Sequence, residues 1–315
     1  MPYLGELSAL LTAFLWSISS ILFTKLTKKI KTVELNILRL LFAFIFLSLT
    51  ILILRIQIQI TKEQIIFLAL SGFIGLVIGD SFLFMAFNKI GPRITMLVMA
   101  LNPAMAAGFA YIFLGEGIPV YGIIGILITL IGILIVLYEK PVLSELSLSL
   151  FPDDNKISNK KNTTSKVLNI GLLFAVFGAL GQAISLIFIK RAFVIGHIDG
   201  FIATNVRILS SLIIFIPFGI IFKKFLNPVA LFYKDKRTFS LVVLGSVIGP
   251  YLGITFSLIA VSNTKELGIA ATLMATIPIM MLPLSYFIYK EKLNRKSIIG
   301  TVLAVCGVAI LFLRS

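Results

Sequence analysis

Ten apolar runs of 17 to 23 residues follow one another along the chain, and nearly all of the charge falls between them. A helix needs about 20 apolar residues to cross the hydrocarbon core of a bilayer. Inside that core every backbone polar group must find its partner within the protein. Repeated runs of this length therefore predict an all-α integral membrane protein with ten transmembrane helices. The first five are Leu4–Thr24, Leu35–Leu54, Ile65–Phe87, Ile94–Leu114 and Pro119–Tyr138. The second five are Val167–Ile189, Phe201–Phe222, Phe239–Val261, Leu267–Ile288 and Ser297–Leu313. Composition agrees: 59% of 315 residues are hydrophobic and 13% charged, against about 45–50% and about 25% in soluble domains. Disorder is excluded on the same ground, since it needs low hydrophobicity. The stretch Met1–Glu6 has no positive charge and no A-x-A-like site follows it, so Leu4–Thr24 reads as a first span rather than a cleaved signal.

The net charge is +15. The basic residues cluster at Lys25–Lys31, Lys156–Lys166, Lys223–Arg237 and Lys290–Lys296, each between apolar runs. That placement points to anionic lipid and membrane orientation rather than to nucleic acid. If the loops alternate sides, one side carries 20 Lys/Arg and the other, with both termini, carries 6. The positive-inside rule then puts the termini outside. A single cysteine, Cys306, and a single histidine, His197, leave no disulfide within one chain, no multi-histidine metal site and no expected cofactor.

The chain also repeats itself. Phe14–Lys25 (FLWSISSILFTK) matches Ala179–Lys190 (ALGQAISLIFIK). Arg39 then matches Arg207, and Gly79, Phe82 and Ala86 match Gly253, Phe256 and Ala260. Met99, Ala100 and Pro103 match Met274, Ala275 and Pro278; Glu116 matches Glu291; Gly125 and Gly132 match Gly300 and Gly307. The offset drifts only from 165 to 175. Residues 1–138 and 167–315 thus form two five-span units, joined by a polar linker, 139–166. Five is odd, so the second unit must enter the membrane from the opposite side. The expectation is an inverted-topology repeat, with a solute site at the repeat interface near mid-membrane.

Asn102–Pro103, Phe113–Glu116 and the glycine-spaced run Gly122–Gly132 resemble the end of an EamA domain of the drug/metabolite transporter superfamily. Pro278, Tyr289–Glu291, Gly300 and Gly307 resemble it again. Trp16 followed by small residues, then Arg39, resembles the domain's opening; the second copy departs with Gly181 at the tryptophan position and Lys290 before Glu291. The resemblance implies a carrier of small organic solutes in the cell membrane, many such proteins being exporters. It also implies cytoplasmic termini, opposite to the charge rule.

Asp80 lies about four residues from the centre of its span, roughly 6 Å from midplane at 1.5 Å per residue. A charge there faces a partner or a wet cavity, so the two readings are proton or cation coupling and a protonated or paired structural aspartate. Arg39 and Arg207 are each about one turn inside a span. They read as an anion clamp or counter-ion to Asp80, or as side chains snorkelling to the headgroups. Pro103 and Pro278 are expected to kink their spans and free carbonyls for a solute, beside Met99, Asn102, Thr272 and Thr276. Pro250 stands in the same way before Tyr251. Trp16, Gln182, Asn205 and Tyr251 are candidate cavity liners, or else interface anchors and interhelix hydrogen-bonders. Gly75, Gly79, Gly245, Gly249 and Gly253 read as packing seams that could also slide. Glu116 and Glu291 read as helix boundaries and His197 as a solvated loop residue.

These features favour a secondary transporter working by alternating access. No G-x-x-x-x-G-K-[ST] is present for an ATP-driven pump. No G-x-S-x-G, and no pair of aspartates within spans, supports an intramembrane enzyme. A channel or membrane scaffold is the other class that the spans allow. The partners expected are a small solute, the lipid bilayer and protons.

Overall fold

The computed structural model describes residues 3–114, 120–137, 160–263, 270, 273–289 and 294–312. Most of the expected linker, Glu116, Glu291 and Thr272 lie outside the described residues. In chain order the helices are α1 (Leu4–Leu26), α2 (Thr32–Ile53), α3 (Lys62–Ser71), α4 (Asp80–Met99), α5 (Asn102–Leu114) and α6 (Val120–Leu137). Then come α7 (Lys160–Ile195), α8 (Gly200–Ile221), α9 (Pro228–Lys234), α10 (Lys236–Ser246), α11 (Ile254–Asn263), α12 (Ile277–Tyr289) and α13 (Arg295–Phe312). A π-helical stretch, Gly72–Gly79, joins α3 to α4, and a second, Val247–Gly253, joins α10 to α11. Both carry glycines that the sequence repeat pairs. Among the described residues, seven helical stretches are long and apolar enough to cross a membrane.

Exposed positions along the helices are largely apolar, and buried positions mix apolar residues with small polar ones. Along α1 the buried face holds Ser8, Thr12, Ser17, Ser20 and Thr24, while Leu7, Leu10, Leu11 and Phe14 are exposed. The buried hydroxyls of Thr12, Ser17 and Thr24 are satisfied within the helix, donating to carbonyls four residues back at 2.7–2.8 Å. On α6, Ile123, Ile124, Leu127, Ile131 and Leu134 are likewise exposed.

The stretch Lys62–Met99 is 38 residues long. It is broken at Gly91, whose φ of 73° and ψ of 173° no helix can hold. Glycine adopts that conformation without the Cβ clash of other residues, and Pro92 then opens the next helical segment with φ already preset. The fourth span is interrupted again between α4 and α5. Pro103 was expected to kink a continuous helix; instead it lies in the first turn of α5, and Pro278 lies in the first turn of α12 after the turn at Ala275–Thr276. At that position no intrahelical N–H is lost, so both spans are discontinuous rather than bent.

The two halves pack crosswise, and glycines set the approach. Gly249 and Gly253 meet Ser19, Phe23 and Trp16 of α1. The repeat-related contact places Gly75 and Gly79 against Gln182, Ser185 and Gly181 of α7. The exchange of Trp16 for Gly181 therefore follows from packing: a Cβ on Gly181 would come within 2.8 Å of Gly79 Cα. Helices α6 and α13 meet reciprocally, Gly132 against Gly300 and Ala304, and Gly307 against Gly125 and Thr129. Contacts paired in this order make the two helices antiparallel. Thr129 Oγ1 shares its proton between the Gly125 carbonyl of its own helix (2.9 Å) and the Ala304 carbonyl across this seam (3.2 Å).

At one end of the bundle, cationic loops meet. Lys28 Nζ donates to the Asn88 carbonyl (2.6 Å) and Asn88 Nδ2 to the Thr27 carbonyl (2.7 Å). Arg93 donates to Ser297 Oγ. Lys29 reaches Thr238 Oγ1 at 3.0 Å and pairs with Asp235 at 3.5 Å. Asp235 caps α10, and the Thr238 hydroxyl and amide, helped by Lys29, hold its carboxyl at about 2. At the other end Gln64, in the first turn of α3, ties that helix to the end of α7 through the Ala192 and Gly196 carbonyls (3.3 and 3.1 Å). His197 is exposed there.

Two outcomes follow. A Cβ on Gly307 would lie 2.4 Å from the Thr129 nitrogen, whereas Gly108 has nothing within 4 Å. Gly307→Val should cost about 1–3 kcal/mol through overpacking, and Gly108→Ala should cost nothing, as read from unfolding of the detergent-solubilised protein. Because the folded carboxyl of Asp235 is depressed, its contribution is complete above about pH 4 and lost as pH falls toward 2. Wild-type Tm should therefore drop more across that window than the Tm of Asp235→Asn.

Candidate functional site

The site grows from one charge pair. Arg39 stands on α2 one turn after Asn36, and Asp80 opens α4 where the π-helical stretch ends. Arg39 Nη2 donates to Asp80 Oδ2, and its Nε donates to Asn36 Oδ1 at 2.8 Å. The guanidinium carbon also lies 4.7 Å from the Phe84 ring centroid and 5.7 Å from that of Phe23. Gln182 of α7 donates to Asp80 Oδ1 at 2.6 Å and to the Gly75 carbonyl at 3.2 Å. The π-helical geometry helps: the Asp80 amide bonds back to Gly75 rather than Leu76. The Leu76 carbonyl accepts instead from Asn36 Nδ2 at 2.9 Å.

Arg207, the repeat partner of Arg39, is held more loosely. Its Nη2 donates to Ser185 Oγ at 3.3 Å, and its Nε has no hydrogen-bond partner. Ser185 itself is engaged with the Ser71 hydroxyl and carbonyl, both at 2.9 Å. Arg39 and Arg207 are only 5% and 4% exposed. Neither snorkels to the headgroups: one is ion-paired in the interior and the other is walled in beside it. Both face the same cavity.

That cavity has a volume of about 210 Å³. Its polar wall comprises Arg39, Asp80, Gln182, Arg207 and Asn102 with Ser19, Ser20 and Ser257. Aromatic and thioether groups, Trp16, Phe23, Phe84, Met96, Met99 and Met274, cover much of the rest. Pro103, Pro250 and Pro278 also line it, so the broken helices of both halves open onto one space. Ile254, the repeat partner of Asp80, lies in the wall too, which leaves the carboxylate on one side only.

Three residues singled out in the sequence lie outside this wall. Asn205 Nδ2 donates to Ser48 Oγ at 3.0 Å, and the Tyr251 hydroxyl bonds Thr50 Oγ1 at 2.8 Å. Both bonds tie α2 to the second half. The Thr276 hydroxyl bonds the Leu273 carbonyl at 2.7 Å within its own turn. Conversely, Asn36, Ser71 and Ser185 hold the charges in place without having stood out in the sequence. Asn36 carried a signal in its i, i+3 spacing to Arg39; the two serines carried none.

The profile of the EamA-like transporter family matches residues 3–138 and 169–313. The chain belongs to the EamA-like transporter family. It is a multi-pass membrane protein, and the two matched segments correspond to the two copies of the internal repeat. No curated protein matches it in sequence. A solved crystal structure superposes with a TM-score of 0.64 over 98% of this chain and 97% of that one, at 18% identity, which shows a shared fold.

Breaking a buried pair by removing one partner costs about 3–5 kcal/mol, because a buried charge is stranded. Arg39→Met should destabilise the protein by about that amount. Adding Asp80→Asn should recover most of the loss, giving a strongly non-additive double-mutant cycle in unfolding measurements.

Proposed function

We propose that this protein is a secondary transporter that moves a small organic solute across the cell membrane by alternating access. The observation that carries the reading is a cavity whose wall is drawn from both halves of the repeat and whose Arg39–Asp80 pair is bridged across them by Gln182. Ten spans in two inverted five-span units, 1–138 and 167–315, are part of the proposal. The reciprocal antiparallel contacts of α6 and α13, and the matched contacts of α1 and α7, support it. In such repeats discontinuous helices frame the solute site, as α5 and α12 do here. At about 210 Å³ the cavity is smaller than drug-sized ligand sites, which run to roughly 300–1,000 Å³, so the solute is a small metabolite. Family resemblance favours export.

Asp80 is the residue through which protons would couple. Arg39 on α2 and Gln182 on α7 bond it directly, Arg207 on α8 lies on the same cavity wall, and no second carboxylate lies in the wall among the described residues. Protonation would release Arg39 and Gln182 together, loosening the tie between the first half and α7. The halves would then rock on the glycine seams at Gly75–Gly79 and Gly245–Gly253. The gathering of cationic loops at one end supports placing that end in the cytoplasm, with both termini outside. The family resemblance implies the reverse. A cysteine added at the C-terminus in a Cys306→Ser background, labelled with an impermeant reagent, separates the two.

In liposomes Asp80→Asn should abolish proton-gradient-driven accumulation while preserving solute exchange, which needs no net proton movement. Unchanged driven transport in this variant would remove the coupling role, and solute-independent ion conductance would favour a channel.

A further inference from the structure

The cavity wall holds two guanidinium groups and one carboxylate, and only one of the guanidiniums is matched. Arg39 has its counter-charge: it donates to Asp80 and to Asn36, and two aromatic faces lie against it. Arg207 has five N–H donors and spends one of them, on a 3.3 Å bond to a serine already engaged elsewhere. Its Nε is buried without a partner, and the residue is 4% exposed. A buried charge is tolerated in proteins when it is paired and hydrogen-bonded. Here the nearest carboxylate is already taken by Arg39 and Gln182.

Position strengthens the point. Gln182 and Ser185 are three residues apart on one face of α7, so the atoms that hold Asp80 and Arg207 are separated by about one helical turn, roughly 4.5 Å along the axis. The space beside them is lined by Trp16, Leu186, Ile189, Leu258 and other apolar groups. A planar guanidinium presents paired donors that match a carboxylate, and the rest of this wall suits an apolar body.

We propose that Arg207 is the solute anchor of the cavity and that the solute is a small organic acid, a carboxylate on an apolar body. This rests on the reading of the cavity as the solute site. Binding supplies the missing counter-charge: the solute carboxylate accepts from Arg207, and its body packs on the aromatic and aliphatic wall. The repeat thus uses its two equivalent arginines differently, Arg39 paired internally with Asp80 and Arg207 left for the incoming anion.

The protein contains one tryptophan, Trp16, and it lies in this wall. Its emission is therefore a reporter of cavity occupancy in the unmodified protein. The probes are isovalerate, isovaleramide and isopentylamine, which share one apolar body and differ in charge. Titrated at neutral pH into the full-length protein in neutral detergent, isovalerate should give a saturable change in Trp16 emission where the amide and the amine give none. Arg207→Gln should weaken isovalerate binding about tenfold or more, as loss of a charge-assisted hydrogen bond implies, and Arg207→Lys should fall between it and wild type. The wild-type comparison stands even if Arg207→Gln does not fold.

An equal response to the amide, a preference for the amine, no response to any probe, or an unchanged affinity in Arg207→Gln would each overturn the assignment. Preference for the amine, or gradient-driven liposome flux of a neutral or cationic solute without isovalerate binding, would overturn it while leaving the transporter reading intact. Absence of driven flux for any solute would instead strike that reading itself.

Discussion

A carboxylate and a guanidinium deep in a bilayer protein constrain everything packed around them. Attraction between the charges in a low dielectric offsets their desolvation only when geometry is good and the remaining lone pairs and N–H groups are also satisfied. The Arg39–Asp80 pair meets this by recruiting Asn36 from its own helix, Gln182 from the other half and two aromatic rings. Each recruit fixes the rotation of a helix about its axis. Asn36 and Arg39 orient α2, Gln182 orients α7, and the π-helical turn before α4 presents Asp80 while freeing the Leu76 carbonyl for Asn36. The cavity is what remains between helices held in this way.

Close approach of the helices comes from a different source. Lipid tails are as apolar as leucine, so helices in a membrane associate through packing and polar contacts rather than through hydrophobic burial. Small residues at Gly79 and Gly181, at Gly253 beneath Trp16, and at Gly132, Gly300 and Gly307 bring backbones together. The same step in each half is filled once by a tryptophan and once by a glycine. That asymmetry admits the indole to the cavity wall on one side and lets Gln182 reach Asp80 on the other.

The all-helical, multi-pass membrane character, the internal repeat and the glycine seams were legible because each is written in residue type and spacing. The choice between snorkelling and burial for Arg39 and Arg207 was not, since both fates fit a position one turn inside a span. Which polar residues face the cavity was also hidden. Asn205 and Tyr251 bond to Ser48 and Thr50 of α2, whereas Gln182 meets Asp80. Spans that are apolar all round give no stripe from which to read rotation. Pro103 and Pro278 marked interruptions correctly in place, but a kink and a helix start look alike in sequence.

In the proposed mechanism one cavity, shared by two crosswise halves, opens alternately to the two sides of the membrane. Ser257 lies in the cavity wall and outside the charge network, so a cysteine there reports access without disturbing the ion pair. In a Cys306→Ser background, Ser257→Cys should be modified by an impermeant maleimide applied to right-side-out vesicles and, separately, to inside-out vesicles. Modification from one face only, under all solute and gradient conditions, would contradict alternating access.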